Sequence, residues 1–149
     1  MTAEFIVAVH ALEFLNHKGE ALSSELIARN VCTNPARVRK VLLRLKAAGL
    51  VQSQSGVEGG YAFVGDPHRV TLLDVFSAVE NQFIKVSWRS GDAEMDCPIA
   101  SGMAPIMDGV FGRLDACCRA TLGGMTIADI DDRLFAPAGA EGITHEKDG

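Results

Sequence analysis

From Phe5 to Asn16 almost every position is apolar, with only His10, Glu13 and Asn16 interrupting. A helix that is apolar on all sides must be covered on more than one of them, so a second subunit is expected to supply part of the cover. Gly19, within Lys18-Gly19-Glu20, is placed to end this helix in a left-handed cap. Ser23 then reads as the cap of a second helix reaching about Val31, with Glu25 at its positive end and Leu26, Ile27 and Ala28 facing inward. Cys32, Thr33 and Asn34 form a tight turn. Pro35 suits the first position of a third helix, capped by Asn34, that runs to Ala48 and stops at Gly49. Two short helices joined by so short a turn make a helix-turn-helix candidate. At about 100° per residue, Val38, Val41, Leu42 and Leu45 share one arc as the buried stripe. Arg37, Lys40 and Arg44 fall together away from it, and Arg39 and Lys46 lie on another flank.

After Gly49 the period shortens. Leu50 to Ser55 and Tyr61 to Val64 are strand candidates around the glycine-rich loop Gly56-Val57-Glu58-Gly59-Gly60, which predicts a hairpin. A helix-turn-helix followed directly by a hairpin is a winged helix. Asp66-Pro67 breaks the pattern. Thr71 and Asp74 then form a capping box for a helix with the stripe Leu72, Val75, Phe76 and Val79. Periodicity is lost from Phe83 to Pro98 and returns from Ile99 to Leu122. There Met103, Ile106, Met107, Val110, Leu114, Cys117 and Cys118 alternate three and four apart, as in a helix–helix seam. Gly102, Gly109 and Gly112 weaken that helix but permit close approach of another. Gly123-Gly124 ends it, and Thr126 caps a short helix through Ile130. The expected class is mostly α with a small β-hairpin wing. A winged-helix DNA-binding domain occupies 1–82, a linker 83–98, a dimerisation helix and short terminal helix 99–135, and a flexible tail 136–149.

Composition narrows the function. With 48% hydrophobic and 22% charged residues, the 149-residue chain matches a folded domain. No apolar run reaches the roughly 18 residues of a membrane span. The start lacks the basic stretch and cleavage site of a signal peptide, so a cytoplasmic protein without membrane association is expected, its four cysteines reduced. The net charge of −5 argues against nucleic acid until the chain is divided: residues 1–82 balance eight basic against eight acidic residues, and the deficit lies entirely beyond them. Six basic residues and no acid lie between Leu26 and Val57, a local electrostatic footprint of the kind that meets phosphate.

The order of features resembles the Rrf-two family of winged-helix bacterial transcriptional regulators. The residues that carry the likeness are Ser23-Ser24-Glu25-Leu26-Ile27-Ala28, Thr33 to Leu42, Leu45 to Val51, Gly59-Gly60-Tyr61, Val70 to Val75, and Cys97-Pro98 before a long helix. The resemblance implies a homodimer, crossed through the long helix, that reads an imperfect palindrome in double-stranded promoter DNA. The expected function is thus a sequence-specific regulator in the repressing mode, answering to a redox or small-molecule signal. A winged-helix module for protein–protein contact is the alternative. Cluster-bearing members carry three closely spaced cysteines where this chain has only Cys97, so it resembles the cluster-free branch, and neither an iron–sulfur cluster nor another cofactor is expected. Many members place a basic residue before the first wing glycine, a position held here by Gln54-Ser55, with Glu58 adding an acid.

The expected DNA contacts are Thr33, Asn34, Arg37, Arg39, Lys40 and Arg44, with Ser55, Gly59, Gly60 and Tyr61 in the wing. Arginine is the usual bidentate reader of guanine, and lysine with the capping residues reaches phosphate. The expected dimer interface is Met103, Ile106, Met107, Val110, Leu114 and Cys117. Cys97 reads either as a half-buried small side chain or as a redox thiol, with the acid beside it raising its pKa. Cys32 is expected to be buried. His10, His17, His68 and His145 are scattered, none at metal-ligand spacing from a cysteine, so no metal site is expected. Asp129, Asp131 and Asp132 read as a solvated face. No catalytic constellation is recognisable, which points away from an enzyme.

Overall fold

The computed structural model describes residues 1–137. The expected tail from residue 138 onward, with His145, lies outside the described residues. Six helices and one hairpin follow in the order α1 (Ala3–Lys18), α2 (Ser24–Val31), α3 (Pro35–Ala47), β1 (Val51–Gln54), β2 (Gly60–Phe63), α4 (Leu72–Val79), α5 (Pro98–Gly123) and α6 (Ile127–Phe135). Gly19 ends α1 at φ 64°. Ser23 accepts from the Leu26 amide and Asn34 from the Arg37 amide, so each helix of the helix-turn-helix is capped by its own side chain. Thr71 with Asp74 and Thr126 with Asp129 form complete capping boxes.

The core is one cluster. Val38, Val41, Leu42 and Leu45 of α3 are fully buried against Leu12 and Leu15 of α1, Ile27 of α2, and Val75 and Phe76 of α4. The expected stripes of α3 and α4 are therefore the observed ones. Leu26 is not inward as expected but largely exposed, because the turn of α2 that meets the core is carried by Ile27 and Ala28.

The antiparallel hairpin pairs Val51 with Phe63 and Gln54 with Gly60. Its second strand is tied to the chain between α1 and α2 by reciprocal backbone bonds of Leu22 and Tyr61, 2.9 and 2.8 Å long. Gly60 is required at this junction. Its φ is 149°, and a Cβ there would run into the Leu22 carbonyl.

The terminal helix extends to Phe135 rather than Ile130. It packs back onto the winged-helix body instead of continuing the α5 arm. Ile127 is fully buried, its amide bonds to the Val70 carbonyl at 3.0 Å, and the Leu72 amide bonds to Met125 at 2.8 Å. By contrast, α5 has no buried residue. It is attached through the loop before it, where Arg89 pairs with Asp108 at 2.7 Å, through Arg119, which lies over Phe83, itself stacked on Phe76 at 3.8 Å, and through Leu122, which packs against the core.

Candidate nucleic-acid interface

The surface of α3 follows from its buried stripe. With Val38, Val41, Leu42 and Leu45 turned inward, the opposite face carries Ala36, Lys40, Leu43 and Ala47. Arg37 and Arg44 flank it on one side, Arg39 and Lys46 on the other. Leu43 is 68% exposed. Small and apolar side chains along the centre of such a helix let it seat deeply in a groove and meet thymine methyls, while cations on the flanks meet the phosphates on either side.

Of the expected ridge, Arg37 and Arg44 lie on a flank and Lys40 on the outer face itself, and the three differ. Arg37 is exposed, and its guanidinium has no partner among the described residues. Lys40 is held at 2.9 Å by Glu4 of α1, and this contact keeps the Glu4 carboxyl below its ordinary pKa. Arg44 turns inward and donates to the Val79 carbonyl at 2.8 Å, tying α3 to the end of α4. Arg39 leans toward Ser24 and Glu25 of α2, both at 3.4 Å, and Lys46 donates to Ser53 of the wing at 2.6 Å. Asn34 spends its side-chain oxygen on the α3 cap, and Thr33 binds back to the Ala28 carbonyl through its amide. Of the wing residues, Gly59, Gly60 and Tyr61 shape the hairpin and its anchorage, whereas Ser55 lies exposed in the loop.

The cysteines correct the sequence reading twice. Cys32 is exposed rather than buried, at φ 60° where α2 ends, so the left-handed turn carries its side chain outward. Cys97 is exposed at the N-terminus of α5, and the backbone amides of Ala100 and Ile99 lower its pKa. The helix end outweighs the acidic neighbours expected to raise it. Cys117 lies twenty residues further along α5, about 30 Å at a rise of about 1.5 Å per residue.

A groove of about 600 Å³ opens between α1 and α6. Ile6, Val9, Phe14, Ile130 and Leu134 line it, and Glu13 and His17 lie at its base. Asp131 is no solvated-face residue: its Oδ1 is 3.1 Å from His17 Nδ1, and it stands beside Glu13. Burial first, and then the Asp131 carboxylate, push the Glu13 carboxyl up to about 7, while Asp131 is lowered through Glu13 and His17. The sequence signal available for this cluster was an acid and an imidazole four apart on an apolar helix. Asp131 arrives from a helix more than a hundred residues away, beyond the reach of spacing arguments.

A helix-turn-helix with a protruding, cation-flanked second helix and a hairpin beside it defines a winged-helix protein of the duplex-DNA-binding type. The Rrf2 family, described as iron-dependent transcriptional regulators, matches residues 1–133, and the chain belongs to that family. It is a transcriptional regulator, not an enzyme. YwnA of Bacillus subtilis (strain 168), named as an HTH-type transcriptional regulator, is 29% identical over 135 residues, covering 91% of this chain and 99% of YwnA. A crystal structure from Lactobacillus plantarum, described as a transcriptional regulator, superposes with a TM-score of 0.76 at 26% identity, covering 90% of this chain and 91% of that one. CymR of B. subtilis, the global cysteine regulator, shares the fold at a TM-score of 0.69 and 19% identity, over 89% of this chain and 96% of CymR.

Proposed function

We propose that the protein is a homodimeric repressor that reads an imperfect palindrome in promoter DNA through α3. The observation that carries this reading is the outer face of α3, with Ala36, Leu43, Ala47 and Lys40 along its centre, basic residues on both flanks and Arg37 free for a base edge. Arg37 is the reader of sequence, because it combines fork geometry with a position in the first turn of the helix. Thr33, Asn34, Arg39, Lys40 and Arg44 serve the backbone. Lys40 has to leave Glu4 and Arg44 has to leave Val79 to do so, and a phosphate competes with those partners on better terms than water does. The wing offers only uncharged and acidic side chains at its tip, so its contribution is backbone contact around Ser55.

Dimerisation explains the exposed face of α5. Met103, Ile106, Met107, Leu114 and Cys117 are exposed and Val110 is half-buried in one chain, while the groove beside α1 is apolar and open. The α5 helix of one protomer covers the groove of the other, which supplies the outside cover that α1 lacks. Repression then needs only steric exclusion from the promoter. The thiols of one chain do not fit an iron–sulfur cluster, since Cys32 lies at the end of α2, Cys97 at the start of α5, and the adjacent pair Cys117 and Cys118 about 30 Å further along α5. The signal is instead assigned to Cys97, whose helix-terminal thiolate suits oxidation by a peroxide.

Selection of bound duplexes from a random pool, with and without peroxide, tests this function. It should return two inverted half-sites about one helical turn apart, roughly 34–36 Å between centres. Failure to enrich any sequence, or enrichment of a lone half-site, would contradict it.

A further inference from the structure

Where α1 and α6 meet, three side chains of metal-ligand type stand together. Glu13 and His17 are one turn apart on α1 and share a face; Asp131 reaches them from α6. One ligand atom from each, two carboxylate oxygens and an imidazole nitrogen, all lie within 4.8 Å of one another. Glu13 is only 6% exposed, and neither of its oxygens has a hydrogen-bond partner among the described residues. Buried carboxylates are normally paired, hydrogen-bonded or bound to a metal. The imidazole is held in place by Phe135, stacked on it at 4.1 Å and 12°.

We propose that Glu13, His17 and Asp131 bind one divalent transition-metal ion, of the zinc, manganese or iron(II) type, and so fasten α6 to α1. The donor set selects that class. Imidazole suits zinc and iron, whereas calcium and magnesium require oxygen donors throughout. At metal–ligand bonds of about 2.0–2.1 Å, neighbouring donors in a tetrahedral site stand about 3.3 Å apart. The His17–Asp131 separation of 3.1 Å already meets this, and Glu13 closes the remainder by a small side-chain movement. The ion would neutralise the two carboxylates and take water as a fourth ligand. Because α6 follows directly on α5, the ion holds the base of the α5 arm against the winged-helix body. The site uses no residue of α3 and no thiol, so it stands or falls separately from the DNA-binding reading.

The test is titration of the chelator-stripped full chain with cobalt(II), followed by absorbance, with zinc as competitor. One equivalent per chain is expected, with visible ligand-field bands of a nitrogen–oxygen site, together with a rise in thermal midpoint that calcium and magnesium do not produce. Loss of outer-shell partners alone weakens metal sites about 10–100-fold, so His17→Ala and Asp131→Asn should each weaken binding at least that much. Both residues are partly exposed, and circular dichroism of the metal-free variants checks that they fold. Glu13→Gln should weaken binding likewise. Absence of binding, binding indifferent to His17→Ala and Asp131→Asn, or an intense thiolate-to-cobalt charge-transfer band would each overturn the proposal.

Discussion

Leu114 offers the sharpest perturbation of the proposed dimer. Its side chain is 46% exposed in the single chain, on the same face as Ile106, which is 64% exposed. Complete burial of a leucine is worth about 1.5–3 kcal/mol, so covering the exposed part contributes about 0.7–1.4 kcal/mol. In a two-fold interface each contact occurs twice, which brings the sum to about 1.5–3 kcal/mol per dimer. Leu114→Ala should therefore weaken dimerisation about 10–150-fold, at about 1.4 kcal/mol for each factor of ten. Leu114→Asp should be worse, since each protomer then buries an unpaired carboxylate. Sedimentation equilibrium over a range of protein concentrations gives the dissociation constants directly. Because Leu114 is exposed and α5 has no fully buried residue, the thermal stability of the isolated protomer should barely change. An unchanged sedimentation mass for Leu114→Asp would refute α5 as the interface.

Three further outcomes follow from particular contacts. Glu4→Gln releases Lys40 from its ion pair; it should tighten binding to random duplex and steepen its salt dependence, and identical salt titrations for variant and parent would show that Lys40 does not meet phosphate. Glu13 is protonated in the fold up to about 7, with Asp131 and His17 facing it, so its contribution to stability is complete below the unfolded carboxyl pKa and is lost as pH rises through about 7. In chelating buffer Glu13→Gln should remove that part of the pH dependence of the thermal midpoint, and an unchanged profile would contradict the assignment. Peroxide should alter the DNA affinity of the native protein and leave Cys97→Ser unaffected; a response that survives in Cys97→Ser would move the sensor to another thiol.

The winged helix was legible because its signals are local. Ser23, Asn34 and Thr71 cap where their side chains can reach the third residue ahead, and the apolar stripes of α3 and α4 have the helical period. What escaped the sequence was decided across elements. Arg44 and Lys40 have the same chemistry and neighbouring positions on one ridge, yet one turns to a carbonyl of α4 and the other to a carboxylate of α1. Cys97 was judged by the acids beside it in sequence, whereas the start of α5 sets its pKa. The Glu13, His17 and Asp131 cluster depends on α6 folding back onto α1, which no spacing along the chain encodes. Even the face of α3 was misjudged slightly, because charge drew attention to its flank and away from Ala36, Leu43 and Ala47.

The central claim is that α3 reads sequence and that Arg37 does the reading. Arg37→Ala and Arg44→Ala should be titrated, across salt concentration, against the selected operator and a scrambled duplex of equal length. Arg37→Ala should cost roughly 1–3 kcal/mol on the operator and much less on the scrambled duplex. Arg44→Ala should weaken both about equally and lower the salt slope by roughly one. Equal losses on both duplexes for Arg37→Ala would make it a phosphate contact and pass the reading to Lys40, Thr33 or Asn34. No loss from either variant would contradict DNA binding through α3.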